Sequence, residues 1–177
     1  MRVSELFEAQ GSPGQGGKFQ GGAYYAPSYD ADAGRLRGSV KDWLAAVNIT
    51  KEDIAKAMTQ VKDSSLFKNE FPKAGLVYTP SAVREKLGTF NFKVTRKLPD
   101  GKSYMTSYQV HANGQIRCSG EGAFSQYTSP LKSPKPRMVA GDPVRSLVST
   151  YTAALEELLT KWKKTTAKMD KAAKETK

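Results

Sequence analysis

Apolar and polar positions change rhythm several times along the chain, and each rhythm predicts a different element. From Ser39 the spacing is helical. Val40, Trp43, Leu44 and Val47 share one face, Asn48-Ile49 interrupts it, and Ile54, Ala57, Met58 and Val61 resume it. Thr50 and Asp53 form a capping-box pair at that second start, with the shorter acid. Asp63-Ser64-Ser65 opens a further turn carrying Leu66, Phe67 and Phe71, which Pro72 should close. Three short helices in a row invite comparison with a helix-turn-helix. The middle one, however, begins with Glu52 and Asp53 where base-contacting residues would be expected. A small helical subdomain over residues 39–72 is the better reading.

Residues 73–119 have period two. Phe90, Phe92 and Val94 alternate with Asn91, Lys93 and Thr95; Tyr104, Thr106, Tyr108 and Val110 alternate with Met105, Ser107, Gln109 and His111; Ile116 and Cys118 flank Arg117. The connections Pro99-Asp100-Gly101 and Ala112-Asn113-Gly114 decide the register. A two-residue turn at Asn113-Gly114 would turn Ile116 to the polar face. A bulged three-residue turn sets Val110 opposite Ile116, Tyr108 opposite Cys118 and Phe92 opposite Tyr108, and only this keeps one face apolar throughout. The expectation is a three-stranded antiparallel meander. Its polar face carries Lys93, Lys97, Ser107, Gln109, His111 and Arg117, and Cys118 is a buried small hydrophobe.

Residues 120–141 read as an extended basic connector, a stiff spacer with Lys132, Lys135 and Arg137 among its prolines. In 142–177 Asp142 caps a helix with Pro143 in its first turn. Val144, Val148, Tyr151, Leu155, Leu158 and Trp162 then form a seam. Uninterrupted helix would run about 50 Å at 1.5 Å per residue. The stripe fades after Trp162, so the first five turns should pack, on the sheet or on a partner helix, while the lysine-rich end projects. At the other end, residues 2–9 offer one or two helical turns with Leu6 and Phe7. Residues 11–38 hold eight of the 15 glycines, with Tyr24, Tyr25 and Tyr29 among them, which predicts an arm without regular structure. The fold class is therefore α+β: short N-terminal helices, a three-stranded antiparallel meander, a long C-terminal helix and an extended N-terminal arm over residues 1–38.

Charge adds a direction to this layout. Of 177 residues, 28 are Lys or Arg and 17 Asp or Glu, a net +11. Residues 1–70 balance, so the entire excess lies in 71–177, and seven lysines fall after Thr160. Such a field favours polyanions, and lysine without arginine in the tail favours non-specific contact over base readout. The expected nucleic-acid contacts are Lys93, Lys97, Arg117, Lys132, Lys135, Arg137, Lys163, Lys164 and Lys168. No apolar run approaches the roughly 18 residues of a membrane span, and acids break up the apolar start at once, against a signal peptide. Secretion is not expected.

Catalytic chemistry finds little support. One cysteine and one histidine leave no internal disulfide, no multi-cysteine metal site and no Ser-His-Asp constellation. Around Lys18 the phosphate-loop positions hold Ser12 and Phe19, which breaks that motif. No enzyme activity, cofactor, metal or small-molecule substrate is expected, and His111 reads as a surface strand residue.

The opening Met1-Arg2-Val3-Ser4-Glu5-Leu6-Phe7-Glu8 resembles the start of tailed-bacteriophage virion or accessory proteins. The resemblance implies a small virion or accessory protein, located in the virion or the host cytoplasm, and supplies no functional residues. Combined with the arm and the seam, it points to a non-enzymatic structural subunit whose partners are other protein subunits, a second copy included. Docking would use Leu6, Phe7, Tyr24, Tyr25, Tyr29, Tyr151, Leu155, Leu158 and Trp162, with the basic surface towards DNA, RNA or an acidic neighbour. The competing expectation is a freestanding nucleic-acid-binding protein without sequence preference. A third is an inhibitor docking its neutral N-terminal helices on a host enzyme.

Overall fold

The alternation of residues 90–119 becomes a sheet in the register that an unbroken apolar face requires. The computed structural model describes residues 48–119, 131–134, 136, 137 and 139–176, and the backbone alone of 24–30 and 35–39. In chain order the elements are β1 (Tyr24–Asp30), β2 (Arg35–Ser39), α1 (Lys51–Asp63), a π-helical turn (Leu66–Glu70) running into α2 (Phe71–Lys73), β3 (Val77–Tyr78), α3 (Ala82–Lys86), β4 (Phe90–Lys97), β5 (Ser103–Val110), β6 (Ile116–Ser119) and α4 (Pro143–Glu175). The main sheet is antiparallel with order β3-β4-β5-β6.

Phe92 pairs with Tyr108, Val94 with Thr106, Tyr108 with Cys118 and Val110 with Ile116, as the bulged turns demand. Gly114 has φ +83, a conformation that glycine adopts without strain, and a Cβ there would lie 3.1 Å from the Thr150 methyl. The sheet has one strand more than the meander. Val77-Tyr78 pairs with Lys93 and Phe92, a two-residue edge too short to leave a periodic signal.

The helical starts follow their caps. Thr50 Oγ1 accepts from the Asp53 amide at 3.2 Å, and the Thr50 amide donates to Asp53 Oδ2 at 2.9 Å. Ile54, Ala57, Met58 and Val61 are buried, as their spacing predicts. Pro72 does not close the next turn. It follows the π-helical turn within continuous helix, and the helix ends only at Ala74, before Gly75 with φ +81.

Inside, Phe67, Phe71, Phe90, Phe92 and Tyr78 interlock with ring centroids 4.8–6.5 Å apart. α4 lies across this face, with α1 packed beside it. Here the partner-docking expectation is corrected. Tyr151, Leu155, Leu158 and Trp162 are 0–3% exposed and belong to the chain's own core. Tyr151 Oη donates to the Gly88 carbonyl at 2.5 Å, and Trp162 Nε1 to the Ala74 carbonyl at 2.6 Å. The seam is consumed inside the chain's own core, by the sheet and by α1 packed beside it. Nor does packing stop at Trp162. Thr165 and Met169 are buried, Met169 against Leu98 and Tyr104, and Asp170 pairs with Arg96 of β4.

The connector is a strap rather than a spacer. Ser133 Oγ accepts from the Ile116 amide at 3.0 Å, and Thr150 Oγ1 both accepts from the Arg137 amide at 2.9 Å and donates to its carbonyl. The Val139 amide donates to Ser146 Oγ at 2.8 Å. This strap covers the β5–β6 turn, so His111 through Ile116 are all buried, and the surface position expected for His111 is corrected. Cys118 is half-buried, with Thr106 Oγ1 at 3.3 Å, rather than fully enclosed.

The arm prediction also changes. β1 and β2 form an antiparallel pair within residues expected to lack regular structure, with the register shifting between Tyr25 and Ser28, on either side of Pro27. Proline removes a ladder donor and is accommodated at such a bulge. Leu6, Phe7, the Val40–Val47 helix and Lys135 lie outside the described residues, as do the side chains of Tyr24, Tyr25 and Tyr29.

Candidate functional site

The same alternation that turns every ring of the main sheet inward sets the chemistry of its outer face. Successive side chains on a strand point to opposite sides. The paired positions on the outer side are Val77, Lys93, Ser107 and Ser119 in one row, Asn91, Gln109 and Arg117 in the next, then Thr95 with Met105 and Lys97 with Ser103. No carboxylate and no aromatic ring occurs among them. Lys93, Thr95, Lys97 and Met105 are exposed, Met105 to 60%, and Arg117 is half-buried. Lys93, Lys97 and Arg117 form no ion pair among the described residues. Three cations without an ion-pair partner among the described residues therefore stand among hydroxyls and amides.

The other expected cations are not brought to this face. Lys163, Lys164 and Lys168 are exposed on the solvent side of α4, which packs on the opposite side of the sheet. Lys163 is already engaged: its Nζ lies 3.4 Å from Glu70 Oε2. Hydrogen bonds from Lys73 and Lys163, with their charge, hold the Glu70 carboxyl below its ordinary pKa. Lys132 and Arg137 border a concavity of about 400 Å³ shared with Glu156 and Glu157, so their charge is opposed locally.

A second cleft, of about 500 Å³, lies between α1 and α3, with Ile54, Ala55, Met58 and Ala82 as its apolar wall and Lys51, Lys62, Glu85 and Lys86 around it. Lys62 Nζ donates to Glu85 Oε1 at 2.5 Å and stands 5.3 Å from the centre of the Tyr78 ring, while Tyr78 Oη donates to the same carboxylate. Burial alone would push the Glu85 carboxyl up, but the Lys62 and Tyr78 hydrogen bonds outweigh it and hold the group charged. Burial, reinforced by Glu85, pushes the Tyr78 phenol up, so it stays protonated. The three groups satisfy one another, an arrangement that locks α1 to α3 rather than presenting a reactive atom.

His111 is likewise removed from acid–base chemistry. Its Nδ1 lies 3.1 Å from Thr89 Oγ1, and Nε2 has no hydrogen-bond partner among the described residues. Burial, with the charges of Arg117 and Arg84, pulls its pKa down to about 3. No group of three or more His, Cys, Asp or Glu is placed to hold a metal among the described residues. No helix among them is long and apolar enough to cross a membrane.

Sequence spacing thus located Lys93, Lys97 and Arg117 on one face, with Met105 in the same alternation, but gave no sign of Arg96 as an ion-pair clamp on the inner side. Arg96 alternates correctly with Lys97; its partner Asp170 is remote in the chain, and no local period reports that pairing. Comparison with known proteins offers no relative: no family model matches the chain, and no curated protein or solved structure does either.

Proposed function

We propose that this protein is a non-enzymatic, nucleic-acid-binding protein that grips the phosphate backbone with the outer face of its sheet, without reading sequence. The supporting observation is the set of Lys93, Lys97 and Arg117 on a face whose paired positions include no carboxylate. Affinity of this kind comes from counterion release and falls steeply with salt. Replacing the three residues by Gln should lower the slope of log K against log salt by about 0.9 for each phosphate left without its cation, while thermal stability is kept. Unchanged affinity and slope in a folded triple variant, measured by fluorescence anisotropy on labelled DNA and RNA, removes the assignment.

The assembly-subunit reading, a phage particle included, keeps one specific support. Val77 and Val83 are 60% and 69% exposed, and beyond Lys93 the outer edge of β4 has no neighbouring strand among the described residues. An edge of this kind accepts a strand from another chain. The helix contributes nothing to that reading, because its seam is internal. A concentration-independent monomer by sedimentation, with or without nucleic acid, counts against it.

A further inference from the structure

We infer that the outer sheet face takes double-stranded rather than single-stranded nucleic acid, an inference that rests on the reading above and names the form of its ligand. Sheets that bind single strands do so by stacking bases on exposed rings along a basic track. This sheet reverses that arrangement. Phe90, Phe92, Tyr104 and Tyr108 all point to the inner side, and no outer-face position of β3 to β6 carries a ring.

The cations are also placed in two dimensions. Lys93 and Lys97 are four residues apart on one strand, about 13 Å at 3.3 Å per residue. Arg117 sits two strands away and two positions along, which puts it about 12 Å from Lys93 by the same spacings. A single strand offers one line of phosphates. A duplex offers two rails flanking a groove, and a triangular set of cations meets both. Ser103, Ser107, Ser119 and Thr95 add short donors that suit phosphate oxygens and sugars. Met105 is the one strongly exposed apolar side chain between the lysine rows, placed to rest on the sugar edge of a groove rather than on a base face.

The test uses the full chain and three fluorescent probes of equal length: a DNA duplex, its single strand and the matching RNA duplex, each titrated over a salt series. Tighter binding of either duplex than of the single strand, by about tenfold or more at one salt concentration, is the expected result. Lys93→Gln, Lys97→Gln and Arg117→Gln should each weaken duplex binding several-fold, and Met105→Ser should weaken it without altering the salt slope. Equal or tighter binding of the single strand overturns the duplex preference while leaving backbone binding intact. Binding to none of the probes removes the nucleic-acid reading itself. Circular dichroism melts confirm that each variant is folded before its affinity is compared.

Discussion

Burial holds the His111 imidazole neutral in the folded chain, whereas the unfolded chain protonates it near pH 6.5. The folded pKa is the lower one, so between about 6.5 and 3 the unfolded state binds more protons. Stability contributed in full above pH 6.5 is lost as pH falls through that window, by up to about 1.4 kcal/mol per unit. Urea midpoints measured from pH 7 to pH 4 should show this decline, and His111→Gln should flatten it while costing some stability at neutral pH. An identical slope in the variant would place the acid sensitivity elsewhere. Gly88 is a comparable single-residue constraint. Its φ is +72, and a Cβ would lie 2.8 Å from the Tyr151 hydroxyl, in the same buried neighbourhood as Ala112 and Ile54. Alternation put His111 on the polar face and marks Gly88 not at all, since what fixes each is a neighbour far away in sequence.

Among the elements, α4 is held at three levels: by Trp162 on Ala74, by Met169 on Leu98, and by Asp170 on Arg96. The lower two levels decide whether the last turns belong to the fold. Met169→Ala should cost about 2 kcal/mol in a urea titration, the lower part of the range for a buried methionine, and Lys168→Ala should stay within about 0.5. A neutral Met169→Ala would restore the picture of a freely projecting end. Local code was sufficient for the caps at Thr50 and Asp142, the buried face of α1 and the register of β4 to β6, because turn chemistry and side-chain period act within a few residues. It could not decide what the seam of α4 would cover. An apolar stripe fits a sheet or a second helix equally well, and only tertiary packing chooses. The strap was misjudged for a related reason: Ser133 and Thr150 are ordinary polar residues until the fold brings them to orphaned backbone groups.

At the scale of the whole molecule, the charge of the described residues is divided between two sides of one layer. The sheet's outer face holds its cations unopposed, whereas the helix side carries Glu70, Glu156, Glu157 and Asp170 among its lysines. In the proposed reading, long-range attraction to a polyanion draws on the whole chain, and the sheet sets the final orientation. The division was partly legible beforehand: alternation assigned Lys93, Lys97 and Arg117 to one face, but no linear pattern could show that α4 would carry its lysines to the other.

The buried β5–β6 turn gives the interior its own clock. Hairpin tips ordinarily exchange their amide hydrogens with solvent in short order, since nothing shields them. Here the Gly114 amide donates to the His111 carbonyl at 2.9 Å and the Ile116 amide to Ser133 on the strap. Deuterium can reach them only when the strap lifts or the domain opens. Ile116 should exchange about as slowly as the centre of β4 and β5, and Ser133→Ala should hasten Ile116 while leaving Phe92 and Tyr108 unchanged. If both rates rise together, strap and sheet open as one cooperative unit; if Ile116 is fast in the unaltered protein, the strap is not closed in solution.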